Sequence, residues 1–379
     1  MNKIKKAFSD VLCRITTLNF FIYKKPLFLR TLLSFKETVS FSPKYDKLIS
    51  PNLNKYFFKF LLNYTEIEHG VIFLKKVRYI PETGIVLKNN KVVLSTILDS
   101  LGYLRKSSVF KHLAPFLFGI KYKETPGVFF HLSGNMTYNF FHFLIDSLPR
   151  VIDFFELKKT YPDIKLLVNN KKPFTVPYLL LCGVKEVDIF FAKQNLLVSK
   201  LFIVNNKFGR SKINNLWAYH VYSKLYLGKM KELLFENLEI NSQNFPRRRV
   251  YISQFDAGTR IVKNEQEVIS MLKNHGFETI VLGKFTVANQ IKIIATSEFI
   301  VGAHGAGFTN LIYADNCKII ELFPFNRMVQ TLYQTHQLGQ LNENFHILIE
   351  VDEADEAQNI KVNVKELEKV ILFHLKEQL

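Results

Sequence analysis

The chain has 379 residues, which is longer than one ordinary compact domain and predicts two. Hydrophobic residues make up 48% and charged residues 22%, which excludes a disordered chain, and the three widely spaced cysteines, Cys13, Cys182 and Cys317, favour neither a disulfide framework nor a zinc site. The net charge of +18 attracts anions, whether nucleic acid, acidic lipid headgroups or phosphorylated small molecules.

Residues 1–35 combine Lys and Arg with Leu, Ile and Phe. Charged side chains interrupt every apolar run, so we predict neither a secretion signal nor a membrane-spanning helix. Two interpretations of this segment stay open: a basic helix that lies on an anionic membrane surface, or a basic helix packed on the N-terminal domain. As far as residue 125 the sequence otherwise offers only short strand-like runs, at 70–74 and 91–96.

Strands and helices alternate from Gly127 onward. A strand and a turn at 127–134 lead into a helix that begins near Asn139, and further strands and helices follow. A long amphipathic helix is predicted at 213–240, and the polar run after it marks a connection. We therefore expect an α/β protein with an N-terminal domain at 1–210 and a C-terminal domain at 211–379.

The C-terminal domain has the clearest pattern. Apolar strands alternate with helices of ten to fourteen residues, which predicts a parallel sheet with right-handed crossovers and a ligand site beyond the carboxyl ends of its strands. One helix begins with Asn264, and Glu267 three residues later completes the pattern of a capping box, so both are predicted to be structural. Glu265 is left without a role.

A glycine loop, Gly302-Ala303-His304-Gly305-Ala306-Gly307, follows one of these strands and opens a helix. Small residues let backbone N–H groups approach a phosphate, and the helix N-terminus adds unpaired donors. A diphosphate is one interpretation, and tight packing of strand on helix is an equal one. An imidazole at the strand end would favour the first, because His304 could donate a hydrogen bond or a positive charge.

Two further residues are candidates near this loop. Glu321 ends the next strand, where its carboxylate could accept hydrogen bonds from ribose hydroxyls. Arg260 lies in a turn after the first strand and could supply a guanidinium to a pyrophosphate. A surface carboxylate and an ordinary surface arginine are the competing interpretations.

The predicted helix after Asn139 carries three polar residues four apart, His142, Asp146 and Arg150, on an otherwise apolar sequence. A carboxylate beside an imidazole suits a general base that deprotonates a hydroxyl. A structural salt bridge between Asp146 and Arg150 is the competing interpretation. Pro149 would kink or restart the helix, so Arg150 need not continue the same face.

The segments NFFHFLIDSLPRV, RRVYISQFDAGTRIVKNEQEV and FIVGAHGAGFTNLIYA, in this order, resemble glycosyltransferase family 61. The resemblance covers residues 127 to about 325 and implies a GT-B fold, in which two Rossmann-like domains face a cleft, with inverting transfer from a UDP-sugar or similar donor and no required metal. It places the His142 and Asp146 pair on the acceptor side and Arg260 toward the diphosphate. It assigns donor binding to His304, Gly305, Ala306, Gly307, Asn310 and Glu321.

The chain departs from the family at one position. The family's strand usually reads Tyr-Ile-Ser-Arg, whereas Gln254 follows Ser253 here. One positive contact to the donor phosphates is therefore expected to be missing or supplied by a neighbouring residue.

We expect a hexosyl-, N-acetylhexosaminyl- or pentosyltransferase that acts in bacterial surface polysaccharide synthesis (capsule or lipopolysaccharide) on a glycan or lipid-linked acceptor. The expected location is cytoplasmic, with peripheral contact to the anionic inner face of the membrane as an option. A non-catalytic nucleotide- or glycan-binding module and a polyol-phosphate transferase are the alternatives. Nucleic acid is not an expected partner, because the Phe and Tyr residues fall in apolar runs typical of a core.

Overall fold

The computed structural model describes residues 34–39, 65–89, 91–93, 96, 121–134, 137–169, 171–204, 223–241, 247–324, 338–339, 341–351 and 355–376. Contacts divide the chain into two units, and most of these residues fall within Glu66–Phe208 or within Gly209–Leu379. The basic segment at 1–35, with its two open interpretations, falls almost wholly outside the described residues, as does the first part of the helix predicted at 213–240. Within the described residues, no helix has both the length and the apolar composition to cross a bilayer.

The first unit is built on an eight-stranded mixed sheet in the order β4-β3-β2-β8-β5-β6-β7, with β1 paired to β2. Strands β8, β5, β6 and β7 are parallel to one another, whereas β2 pairs antiparallel with both β3 and β8. The α/β class is confirmed, but this unit is not a purely parallel sheet, because the chain up to β4 adds antiparallel strands. The strands are β1 (Ser34–Val39), β2 (Thr65–Ile80), β3 (Ile85–Lys88), β4 (Lys91–Val92), β5 (Lys123–His131), β6 (Lys165–Val168), β7 (Ile189–Phe191) and β8 (Leu196–Val204).

The helix predicted after Asn139 is interrupted twice. A helical turn α1 (Phe140–His142) passes into a π-helical segment at Phe143–Ser147 and a 3₁₀ turn at Leu148–Arg150, and only then does α2 (Val151–Thr160) begin. Pro149 occupies the first turn of the 3₁₀ segment, where its missing N–H costs nothing, so the proline restarts the helix. A further helix, α3 (Thr175–Leu181), completes the unit's helices longer than one turn among the described residues.

The second unit contains a fully parallel five-stranded sheet in the order β10-β9-β11-β12-β13. The predicted parallel sheet is therefore confirmed. In chain order, β10 is added on one side of β9, and β11, β12 and β13 are added on the other side. The strand order therefore reverses between β9 and β11. The strands are β9 (Arg248–Ile252), β10 (Phe277–Ile280), β11 (Ser297–Ala303), β12 (Lys318–Pro324) and β13 (Phe345–Val351).

The helices of this unit are α4 (Lys224–Asn237), α5 (Glu265–Asn274), α6 (Val287–Ala295) and α7 (Val364–Lys376), with a 3₁₀ helix at Ala306–Tyr313. Strand side chains alternate between the two faces of the sheet. Val301 and Ala303 belong to a core cluster that includes Leu272 of α5 and Ile371 of α7. Gly302 and His304 therefore face the opposite side, toward the 3₁₀ helix.

The capping box predicted at the start of α5 does not form. Asn264 makes no side-chain hydrogen bond to its own helix. Its amide instead donates to the backbone oxygen of Val362 at 2.9 Å and accepts from the backbone nitrogen of Val362 at 3.0 Å. Asn264 keeps a structural role, but it ties the start of α5 to the segment before α7.

Candidate active site

The carboxyl ends of β9 and β11 form the point at which the strand order reverses. In open parallel sheets this is where ligands bind, because the two neighbouring connections leave toward opposite faces and leave a crevice between them. Gln254 follows β9 and the glycine loop follows β11. The second unit thus brings both segments to the position at which an α/β sheet binds a ligand.

The glycine loop combines a packed entrance with an accessible tip. A Cβ on Gly302 would lie 2.8 Å from the ring of Phe308 and 3.1 Å from the backbone oxygen of Ile252, so this glycine permits tight packing. Ala306 is exposed and Gly305 and Gly307 are partly exposed. Both interpretations of the loop therefore apply, to different residues: Gly302 serves packing, and the backbone at 305–307 is open to a ligand.

The side-chain amide of Gln254 supports the glycine loop. Its side-chain nitrogen donates to the backbone oxygen of Ala303 at 2.7 Å and lies 3.3 Å from that of His304. A Cβ on Gly305 would lie 2.5 Å from the same nitrogen. Gln254 therefore occupies the space beneath the loop and fixes the direction of two of its carbonyl groups, so the residue that departs from the family pattern is part of the loop's structure.

His304 belongs to a buried group of three side chains. Its Nδ1 contacts one carboxylate oxygen of Glu321, and the other oxygen lies 2.9 Å from Nε2 of His346 on β13. Burial raises the pKa of Glu321, but the charge and hydrogen bonds of His304, followed by those of His346, outweigh it and lower that pKa to about 2. Glu321 is thus ionised at neutral pH, and it orients the His304 ring.

This geometry corrects the expected role of Glu321. The sequence suggested that its carboxylate accepts hydrogen bonds from ribose hydroxyls, but its side chain is completely buried and both oxygens face histidines. Glu321 therefore acts through His304. Across the described residues, no group of three or more His, Cys, Asp or Glu side chains is arranged to hold a metal ion.

The side chains of the remaining two donor candidates, Asn310 and Arg260, are each hydrogen-bonded to other parts of the second unit. Asn310 is buried, and its side chain donates to the backbone oxygen of Gly307 at 3.1 Å, so it stabilises the 3₁₀ helix from inside. Nε of Arg260 donates to Gln358 at 2.9 Å, and its backbone nitrogen to Ala357. The structure therefore does not bring Arg260 into contact with the glycine loop.

In the first unit, His142 and Asp146 form a pair. Nδ1 of His142 lies 2.7 Å from Oδ2 of Asp146, and the Asp146 side chain is 2% exposed against 18% for His142. The other carboxylate oxygen of Asp146 is buried without a hydrogen-bond partner among the described residues. Arg150 instead donates to the backbone oxygen of Leu132 at 3.2 Å, so the competing interpretation, a salt bridge from Asp146 to Arg150, is wrong.

A family model described as Glycosyltransferase 61 matches residues 140–320 of the chain. This region, just under half of the chain, is similar to glycosyltransferase family 61. The match begins at the helical turn that carries His142 and ends one residue before Glu321, so it spans the paired residues of the first unit and the glycine loop of the second. A comparison with curated proteins finds no match.

Two features of the candidate site cannot be identified from the sequence. His346 lies beyond the last recognisable motif, as a lone histidine in an apolar run typical of a core strand. Gln254 was noted only for the charge it lacks, because the contact of its amide with two carbonyls depends on the approach of β9 and β11. In each case the sequence shows only one polar residue within an apolar strand or at its end. The residues that it contacts can be identified only from the folded structure.

Proposed function

We propose that the protein is an inverting, metal-independent glycosyltransferase that uses a nucleotide-sugar donor, most simply a UDP-sugar. The observation that carries the proposal is the position of the glycine loop at the reversal point of the parallel sheet, with His304 held there by Glu321. The similarity to family 61 supports the same conclusion. The GT-B arrangement of the two units, with 1–210 on the acceptor side and 211–379 on the donor side, is part of this proposal.

The donor's diphosphate would lie against the accessible backbone of Gly305, Ala306 and Gly307. Their N–H groups and the N-terminus of the 3₁₀ helix offer donors to phosphate oxygens. His304 adds an imidazole whose ring the ionised Glu321 holds in place. Together these groups would stabilise the negative charge that develops on the leaving nucleotide diphosphate, which is the task a metal ion performs in other transferases.

The acceptor would be activated by the pair in the first unit. The unpartnered carboxylate oxygen of Asp146 would take the proton of an acceptor hydroxyl, while His142 holds the other oxygen and orients the carboxylate. The oxygen of that hydroxyl would then form the new bond to the anomeric carbon as the bond to the diphosphate breaks. We propose a glycan or a lipid-linked acceptor in bacterial surface polysaccharide synthesis, at the inner face of the membrane.

The first test is binding of nucleotides to the purified protein. A thermal-shift series with UDP, GDP, CDP, CMP and their sugar conjugates, all with EDTA, should raise the melting temperature for one base, because a ligand of the folded state stabilises it by mass action. The shift should disappear in His304→Ala. No shift with any nucleotide would contradict the donor site, and a shift that needs added metal would contradict metal independence.

The second test concerns the proposed base. Asp146→Asn should lower turnover by at least about 10²-fold while nucleotide binding is unchanged, because it removes general-base catalysis alone. Asp153→Asn is a matched control, since Asp153 is also buried and paired with a histidine, His69, at 3.0 Å in the same unit. Normal turnover in Asp146→Asn, or an equal loss in both variants, would argue against Asp146 as the base.

Two other functions are distinguished by the same assays. The replacement of the family's arginine by Gln254 is what favours a binding module without turnover, and hydrolysis of the donor in the absence of acceptor would exclude it. A polyol-phosphate transferase would use the same loop for phosphate, and it would be indicated by turnover of a nucleotide-linked polyol phosphate with none of the nucleotide sugars.

A further inference from the structure

Strand β13 brings a second histidine to the candidate donor site. His346 is completely buried, and its Nε2 lies 2.9 Å from the Glu321 oxygen that His304 does not contact. The three side chains are on three neighbouring parallel strands or their ends, β11, β12 and β13. Glu321 is opposite Gly302 on β11 and opposite Leu348 on β13. His304 lies two residues after Gly302 and His346 two residues before Leu348, so the two histidines approach Glu321 diagonally from opposite ends of the strands.

The surroundings of His346 fix its ring. A Cβ on Gly339 would lie 2.8 Å from Nδ1 and 3.2 Å from Cβ of His346, so the backbone of Gly339 closes one side of the ring. The ring can then meet Glu321 only through Nε2. Nε2 lies at ion-pair distance from one carboxylate oxygen and leaves the other Glu321 oxygen for His304.

We propose that His346 is a positioning residue of the donor site, which acts on His304 through the shared carboxylate of Glu321. The proposal rests on the proposed role of His304 in donor binding. With Nε2 of His346 in place, Glu321 has a histidine against each of its oxygens and is ionised in a buried position, where an unpaired carboxylate would be costly. The proton of His304 is then fixed on Nδ1, and the contact with Glu321 sets the orientation of the ring.

Three variants separate positioning from packing. His346→Gln can place an amide nitrogen near the position of Nε2 and preserve the contact, whereas His346→Leu preserves only volume. His346→Asn is polar but too short to reach Glu321, and it replaces the Leu variant if that one does not fold. His374→Leu is the control, because His374 is also a buried histidine of this unit but belongs to α7.

The binding experiment is a double-mutant cycle with UDP, or with the nucleoside diphosphate that gives the largest thermal shift. His346→Leu should weaken binding by about tenfold, the size of one lost polar contact with a charged group, and His346→Gln by less. In a His304→Ala background, measured at nucleotide concentrations high enough to detect the residual binding, His346→Leu should have no further effect, because the two residues act as one unit. Unchanged binding in His346→Leu and His346→Asn, or full additivity with His304→Ala, would overturn the proposal.

A second readout does not depend on nucleotide binding. Ring ¹⁵N NMR of the ligand-free protein should show His304 with its proton on Nδ1 in wild type, His346→Gln and His374→Leu, and a changed state in His346→Leu or His346→Asn. An unchanged His304 signal in both of the latter variants would contradict the positioning role. If wild type bound no nucleotide, the proposed function would fail, while this measurement would still decide whether His346 acts on His304.

Discussion

Two glycines at the candidate donor site differ in what their missing side chains provide. Gly302 lies where a Cβ would press on Phe308 and on the backbone of Ile252, whereas a Cβ on Gly307 would meet only side-chain methyl groups at 3.6 and 3.7 Å. The first contact is tighter than van der Waals packing allows, and the second is ordinary. The same residue type in one short loop therefore has a packing role at one position and leaves space at another.

Gly302→Ala should lower the free energy of unfolding by about 1–3 kcal/mol, because the added methyl group forces the 3₁₀ helix away from the sheet. Gly307→Ala should leave it unchanged or raise it by up to about 1 kcal/mol through lower entropy of the unfolded chain. Chemical denaturation of both variants and wild type measures the difference. Equal losses of stability would contradict the assignment.

The sequence alone predicts most of the residues of the candidate donor site, but not all of their contacts. His304, Glu321 and the loop could be selected because polar or small residues at the ends of apolar strands are conspicuous. The burial of Glu321 and its second partner could not, since they depend on β13, whose sequence lies beyond the last motif. The resemblance alone predicts Asn310, and the position in a turn after the first strand also predicts Arg260. Their observed partners, Gly307 and Gln358, depend on local geometry.

Among the elements, the strands of the second unit were predictable and the helical segment of the first was not. Each of β9, β10, β11 and β12 is a compact apolar run between polar turns, which gives an unambiguous signal. The π-helical segment at Phe143–Ser147 has nearly the same apolar pattern as an α-helix, and the two differ only in backbone hydrogen bonds. The antiparallel pairing of β2 with β8 joins segments more than one hundred residues apart, and nothing local encodes it.

The hydrogen bonds between Asn264 and Val362 connect the start of α5 to the segment before α7, and their contribution to stability can be tested. Asn264→Ala should lower the free energy of unfolding by about 2 kcal/mol, because the partly buried backbone N–H and carbonyl of Val362 both lose their side-chain partner. Glu267→Ala should change it by less than about 0.5 kcal/mol, since the capping box is absent. Denaturant titrations test both variants, and a large loss in Glu267→Ala would indicate that the capping box forms in solution.

The buried carboxylate of Glu321 makes the free energy of unfolding of the whole protein depend on pH in the acidic range. The pKa of Glu321 is lowered from 4.5 to about 2 in the folded state, so its contribution is fully present above pH 4.5 and is lost as the pH falls toward 2. The difference in unfolding free energy between wild type and Glu321→Gln should therefore shrink by about 3 kcal/mol across this range. Denaturant titrations at several pH values measure it, and a constant difference would contradict an ionised Glu321.

The parallel order of the second sheet also has a consequence for folding. Every strand pair in it joins segments separated by a helix or a longer connection, so contacts form between residues distant in the chain, which slows folding. The last strand, β13, supplies His346. During synthesis on the ribosome, the histidine-carboxylate-histidine group cannot close until residue 346 has emerged, although the glycine loop has emerged some forty residues earlier. Donor binding by a nascent chain would therefore mark the completion of this sheet, and a truncation before β13 should leave the loop present but His304 without its second support.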